Sequence, residues 1–179
     1  IYTLSLHDAL PILMTSIQHK IVSFILFNAL WFSAVAGRDS YIILSGVLLA
    51  LQFVYSVGVV KVSWTLILRL FAVGLLLEAI SISLGVIDFA GGYFPLWLAM
   101  LWLGFSSMAP VALDWLVPKP IFAVLVGAVS GPVTYVAGVK LNAATIDSMP
   151  LVIACYAVIW GLMMAYFVFS MSPKKESGE

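Results

Sequence analysis

Charge is what this chain has least of. Only 9% of its 179 residues are Asp, Glu, Lys or Arg, eight acidic and eight basic, while 64% are apolar. A soluble domain carries about 25% charged residues, so this chain cannot cover a water-facing surface. With no basic excess it has no electrostatic footprint for a nucleic acid. Cysteine is nearly missing as well. Cys155 is alone in an apolar run, so it reads as a small packing residue and can close no intramolecular disulfide. Histidine is limited to His7 and His19. No cluster of His, Cys and carboxylate has metal-ligand spacing, and no Gly-x-Ser-x-Gly, phosphate-binding loop or dinucleotide fingerprint occurs. Asp88 and Asp114 fall at opposite ends of the apolar runs, so they cannot form an aspartate dyad. No residue set signals an enzyme, and no cofactor or metal is expected.

What the chain has is apolar length. A membrane helix needs about 20 mostly apolar residues. Six runs come near or reach that length, over residues 21–37, 41–60, 65–87, 95–116, 121–141 and 150–171. They are continuously apolar rather than alternating, which excludes a membrane β-barrel. The expected fold is all-α, a polytopic membrane bundle of about six transmembrane helices. One domain spans 14–171 and a polar tail covers 172–179. Residues 1–13 stand apart. Thr3–Ile12, TLSLHDALPI, resembles one reading frame of a common sequencing adapter, and Met14 then opens MTSIQHK like a bacterial start. These thirteen residues are expected to be a non-native leader and carry no further weight here. The first span has a rival reading, because Ala34-Val35-Ala36 fits a small-x-small cleavage site of a signal peptide. Asn28 and Trp31-Phe32 interrupt the apolar core such a peptide needs, which favours a retained helix.

Six spans put both termini on one side. That side collects Lys20, Lys61, Lys119, Lys174 and Lys175, against Arg38 and Lys140 on the other, so both termini are expected in the cytoplasm. Trp64 and Trp115 at one boundary, and Tyr41, Tyr93 and Trp97 at the other, are expected as interface anchors.

Ionisable residues inside a span are costly and need a reason. The third span holds Arg69 and Glu78, nine residues and about 13 Å apart on opposite faces, so they cannot pair. Arg69 is near the span's start and is expected to snorkel to the headgroups. Glu78 is deeper, about 20 Å along a core of about 30 Å. Gly74, Glu78, Ser81 and Gly85 recur on one stripe, where small residues would let a neighbouring helix approach. Asn28, Gln52, Ser106, Ser107 and Ser130 fall in the middle third of their spans and are candidate partners for Glu78. In the fifth span Ala123, Gly127 and Gly131 form a small-xxx-small face, and Pro132 after Gly131 is expected to kink the helix by freeing the Ala128 carbonyl. Broken helices near the midplane recur at transporter sites.

The ordered pieces LFNALWFSAVAG, LGVIDF, PLWLAMLWLGF, LDWL and GAVSGPVTYVAGVKL resemble a bacterial membrane family, domain of unknown function 2878, over nearly all of Met14–Met171. The resemblance implies a small multi-span protein of the bacterial inner membrane with an acidic residue in its third span, a place Glu78 fills. It implies no reaction or ligand. Two functional readings stand. One is membrane transport or a proton- or ion-linked role through Glu78, with an unknown small molecule or ion as substrate. The other is a non-catalytic assembly or accessory protein whose intramembrane polar residues only fix helix packing. A lipid-modifying enzyme is a third, without residues to carry it. The bilayer itself is the expected partner, with self-association left open.

Overall fold

The computed structural model describes residues 6–172, with side chains from Ser16 onward. Part of the expected leader and the tail beyond Ser172 lie outside the described residues. Helix α1 covers Leu6–Gly37, and a 3-10 turn at Arg38–Tyr41 leads into α2, Ile42–Val54, which continues as a π-helical segment over Tyr55–Val59. Then come α3, Trp64–Ser83; the short strand β1, Asp88–Phe89; α4, Leu96–Ala112; and a 3-10 turn at Asp114–Leu116. The chain ends with α5, Pro120–Lys140; the strand β2, Ala144–Thr145; and α6, Met149–Met171.

The α1–α2 turn forms where Arg38 takes φ 48°, in the left-handed region. The two helices then run antiparallel, held by Ser33 Oγ to Ser45 Oγ at 3.0 Å and Gln52 Nε2 to Ser23 Oγ at 2.8 Å. Helical hydrogen bonding is nearly continuous through the turn. Counted by unbroken helical stretches, the described residues therefore form five helices rather than the expected six, the first stretch being Ser16–Val59. Four stretches are long and apolar enough to cross a membrane, and Leu96–Ala112, at 17 residues, is a shorter apolar helix.

Helices α3 and α5 end in caps with a residue at positive φ. The expected third span runs to residue 87, but α3 ends at Ser83 because Gly85 takes φ +69°. Gly85 N–H then donates to Ile82 O at 2.9 Å and Val86 N–H to Ser81 O at 3.1 Å, the bonding of a Schellman cap. Gly85 is therefore an exposed cap, not part of the small-residue stripe. Asn142, φ 57°, ends α5 the same way, with Asn142 N–H to Val139 O at 3.0 Å and Ala143 N–H to Gly138 O at 2.9 Å. Both caps launch a strand. The two strands pair antiparallel, Asp88 opposite Thr145 and Phe89 opposite Ala144, and form a small ribbon at the end of the bundle away from Lys20. An apolar run that continues past its helix into a buried strand looks like one long span in sequence.

The helices form an incomplete ring. α5 packs along α6, α6 on α3, α3 on α4 and α4 on α1, with α2 outside on α1 and α4. α1 and α5 face each other across the open side, bridged at the ribbon end by Arg38 Nη1 donating to Leu141 O at 3.0 Å. Ala123, Gly127 and Gly131 are buried, and α6 lies against this face through Trp160 and Met164. Tyr41, Trp64, Tyr93 and Trp115 are exposed, as anchors require, but Trp97 is buried at 1% exposure. It packs edge-on to Phe89 and donates Nε1 to Ala90 O at 3.0 Å, so it pins the ribbon to α4.

α5 is helical on both sides of Pro132. Proline gives no N–H to the Ala128 carbonyl. Pro132→Ala is expected to leave the melting temperature unchanged or raise it, because the restored bond contributes about 0.5–1.5 kcal/mol. A clear fall in a thermal melt in detergent would mean that ring packing at this buried position outweighs the missing bond.

Candidate functional site

Glu78 is the organising residue. It is fully buried in α3, and its carboxyl accepts hydrogen bonds from one residue on each of four helices. Ser81, one turn on in α3, donates to Oε1 at 3.3 Å and to the Glu78 main-chain oxygen at 3.0 Å. Tyr156 of α6 donates to Oε1 at 2.5 Å. Trp102 of α4 donates Nε1 to Oε2 at 3.0 Å, and Tyr135 of α5 donates its hydroxyl to the same oxygen. An ionised carboxyl is an acceptor with about four lone-pair sites, so this cage can fill all of them. Each partner is itself held. Tyr135 and Tyr156 stack with ring centroids 3.4 Å apart, and Ser81 Oγ lies 2.9 Å from the Tyr156 hydroxyl. Trp102 stacks on Trp160 at 5.3 Å and presses on Gly74, where any Cβ would meet its ring.

Among the described residues no cation bonds the Glu78 carboxyl. Arg69 is exposed and bonds its own helix at Thr65 O, 3.3 Å away. Lys20 pairs with Asp114 at 2.7 Å, at the opposite end of the bundle from the ribbon. Among the described residues no three His, Cys, Asp or Glu side chains form a metal-binding group.

The residues expected beside Glu78 are divided among three places. Gln52 is buried but belongs to a second polar cluster. Its Nε2 donates to Ser23 at 2.8 Å and Ser56 at 3.1 Å, and Ser56 donates to Ser107 O at 2.8 Å, tying α1, α2 and α4 together. Ser106 and Ser107 are buried and bond back along α4, to Trp102 O at 2.7 Å and Leu103 O at 2.8 Å, not to the Glu78 carboxyl. Asn28 donates to Phe24 O at 2.8 Å on its own helix. Asn28 and Ser130 instead share a cavity. Gly131 and Pro132 are buried in α5, with Gly131 against the Trp160 ring.

That cavity has a volume of about 410 Å³ and lies inside the open side of the ring. α1 and α5 flank it, α4 and α6 back it, and Ile87, Phe89, Ala143 and Ala144 close its ribbon end. Trp102 and Tyr135 form part of its wall, and Glu78 sits behind them. The sequence reading missed Trp102, Tyr135 and Tyr156 as site residues. Their signal was available: an aromatic polar tip well inside an apolar span needs a partner.

The helices, their apolar lengths and the buried carboxyl cage fit a multi-pass helical membrane protein. The chain belongs to the family described as "Protein of unknown function (DUF2878)", whose model matches residues 20–166. No curated protein and no solved structure matches it.

Proposed function

We propose that this protein works in the bacterial inner membrane, termini in the cytoplasm, as a transport or proton- or ion-linked protein with Glu78 as the charge-carrying group. The observation that carries this reading is the cage: a fully buried carboxyl met by four donors and, among the described residues, no cation. A negative charge deep in a membrane span is costly. A proton or small cation arriving at Glu78 would relieve that cost, and the cage hydroxyls could reorient to accept it, because tyrosine and serine both donate and accept. The adjoining cavity offers a place for a small solute whose movement such a charge could drive. Lys20 within α1, with Lys61 before α3 and Lys119 before α5, lies toward the end opposite the ribbon, and the three support the orientation.

The second reading, packing alone, is favoured by one feature: both Glu78 oxygens are fully bonded. Glu78→Gln separates the two. Glutamine keeps the shape and two or more of the bonds but cannot take up a proton. In proteoliposomes under an imposed pH gradient and potassium diffusion potential, the wild type is expected to pass protons above the protein-free rate. Glu78→Gln is expected to abolish that flux at equal incorporation and equal melting temperature. Equal flux through both proteins would assign Glu78 to packing.

A further inference from the structure

The Glu78 cage lies close to one end of the bundle. Glu78 is five residues from the end of α3 at Ser83, about 7.5 Å along the axis. It is fourteen residues from the start at Trp64, about 21 Å. Tyr135 is likewise five residues from the end of α5 at Lys140. Away from the ribbon the interior is filled, since Leu66, Ile67 and Leu70 of α3 and Met163, Met164 and Phe167 of α6 are all buried. On the ribbon side the cage meets residues 86–90, the segment that holds β1. Phe89 sets its ring edge-on to Tyr135, centroids 6.4 Å apart, and edge-on to Trp97 at 5.8 Å. The short way from water to Glu78 is therefore past Phe89.

Residues 86–90 have the form of a strap. Val86, Ile87 and Phe89 are buried. Gly85 before them and Gly91-Gly92 after them take φ of 69°, 105° and 110°. Glycine turns through that region without steric cost, and hinges are short segments that absorb a large backbone change. A Cβ at Gly85 or Gly92 would meet nothing within 4 Å, so both have room to turn. The fastening is slight. Each strand is two residues long, with Ala90 N–H to Ala143 O at 3.0 Å beside them and Trp97 Nε1 to Ala90 O at 3.0 Å. A two-stranded ribbon has little stability of its own. Its other strand follows the α5 cap, where Arg38 holds Leu141 O, so β1 is the less tethered of the two.

We infer that residues 86–90 form a gate over the Glu78 cage, with Phe89 as its plug and the flanking glycines as its hinges, through which Glu78 exchanges its proton with the solution on the ribbon side. This rests on the proposed function, in which Glu78 carries the charge. When the strap lifts, a hydronium gives one proton to the Glu78 carboxylate and leaves as water, and the reverse step returns it.

The test locks the strap. Asp88 and Thr145 are exposed and directly opposite in the ribbon. Residues so paired have Cα atoms about 4.5–5.5 Å apart, which a disulfide can span. The double variant Asp88→Cys, Thr145→Cys, with Cys155→Ser to remove the native thiol, is reconstituted in proteoliposomes and compared oxidised and reduced. Two quantities are read: exchange of the Trp102 indole N–H, which bonds Glu78, with deuterated water, and proton flux. Oxidation is expected to slow the exchange about tenfold or more, because exchange follows local opening, and to abolish the flux, with reduction restoring both. Phe89→Ala removes the plug and is expected to speed the exchange by a similar factor. The lock creates no void, so its result decides even if Phe89→Ala unfolds. Exchange equal in the oxidised and reduced forms, or flux that survives the lock, would overturn the gate. Exchange slowed by the lock in a protein that passes no protons when reduced would keep the gate and overturn the transport reading instead.

Discussion

Glu78→Leu is expected to cost the folded protein roughly 3 kcal/mol or more. Leucine fills a similar volume but removes the acceptor that Trp102 Nε1, the Tyr135 hydroxyl and the Tyr156 hydroxyl share. Each donor left buried without a partner costs about 1–3 kcal/mol. The indole cannot adapt, since it donates and never accepts. The tyrosines are locked in their mutual stack and can recover only the bond each makes to a neighbour, such as Tyr156 to Ser81. Because the donors come from α4, α5 and α6, the loss is expected to loosen the whole bundle. In detergent, Glu78→Leu should unfold at much lower temperature than the wild type, with Glu78→Gln close to wild type. Equal stability of the leucine variant would mean that the donors find other partners or water.

Gly127→Val is expected to force α5 away from α6. A Cβ at Gly127 would meet the Trp160 carbonyl oxygen at 2.6 Å, and backbone cannot rotate aside as a side chain can. Met164 is in the way as well. Overpacking a well-filled contact costs about 1–3 kcal/mol, and a β-branched residue should fall at the upper end. The shift would also move Tyr135, on the same helix, away from Glu78. Gly46→Ala is the control. Its Cβ would reach nothing closer than Met100 Cε at 3.9 Å, so alanine should be neutral or slightly stabilising through its better helix propensity. A melting temperature for Gly127→Val equal to that of Gly46→Ala would contradict the close α5–α6 contact.

The helices were readable because long apolar runs are set by composition. Their ends were less so: Val86, Ile87 and Phe89 are as apolar as a span but belong to the turn and ribbon after α3. The two Schellman caps were visible in principle, as Gly85 and Asn142 are the residue types that tolerate positive φ. Glu78 stood out because a carboxylate is conspicuous in an apolar run. Its partners were sought among Asn, Gln and Ser, whereas three of the four donors are aromatic. Depth alone could have matched them. Glu78 is thirteen residues past Thr65 and Tyr135 fourteen past Ile121, in spans running the same way. Trp102 and Tyr156 are seven and six residues past Pro95 and Pro150, in the two spans that run back. Which residue on a helix faces inward is not given by depth, and that is why Gln52 and Ser106, at plausible depth, bond elsewhere. The cavity had no sequence signature, because it arises from α1 and α5 failing to close the ring.

The Glu78 carboxyl sits in a cage of donors from four helices. The most direct test is the indole N–H resonance of Trp102 in the isotope-labelled protein in bilayers, assigned with Trp102→Phe. If the cage is correct, this proton is shifted downfield of those of exposed Trp64 and Trp115, exchanges slowly with deuterated water, and moves on Glu78→Gln while the other two stay put. A Trp102 resonance that exchanges as fast as theirs and ignores the Glu78 substitution would contradict the cage.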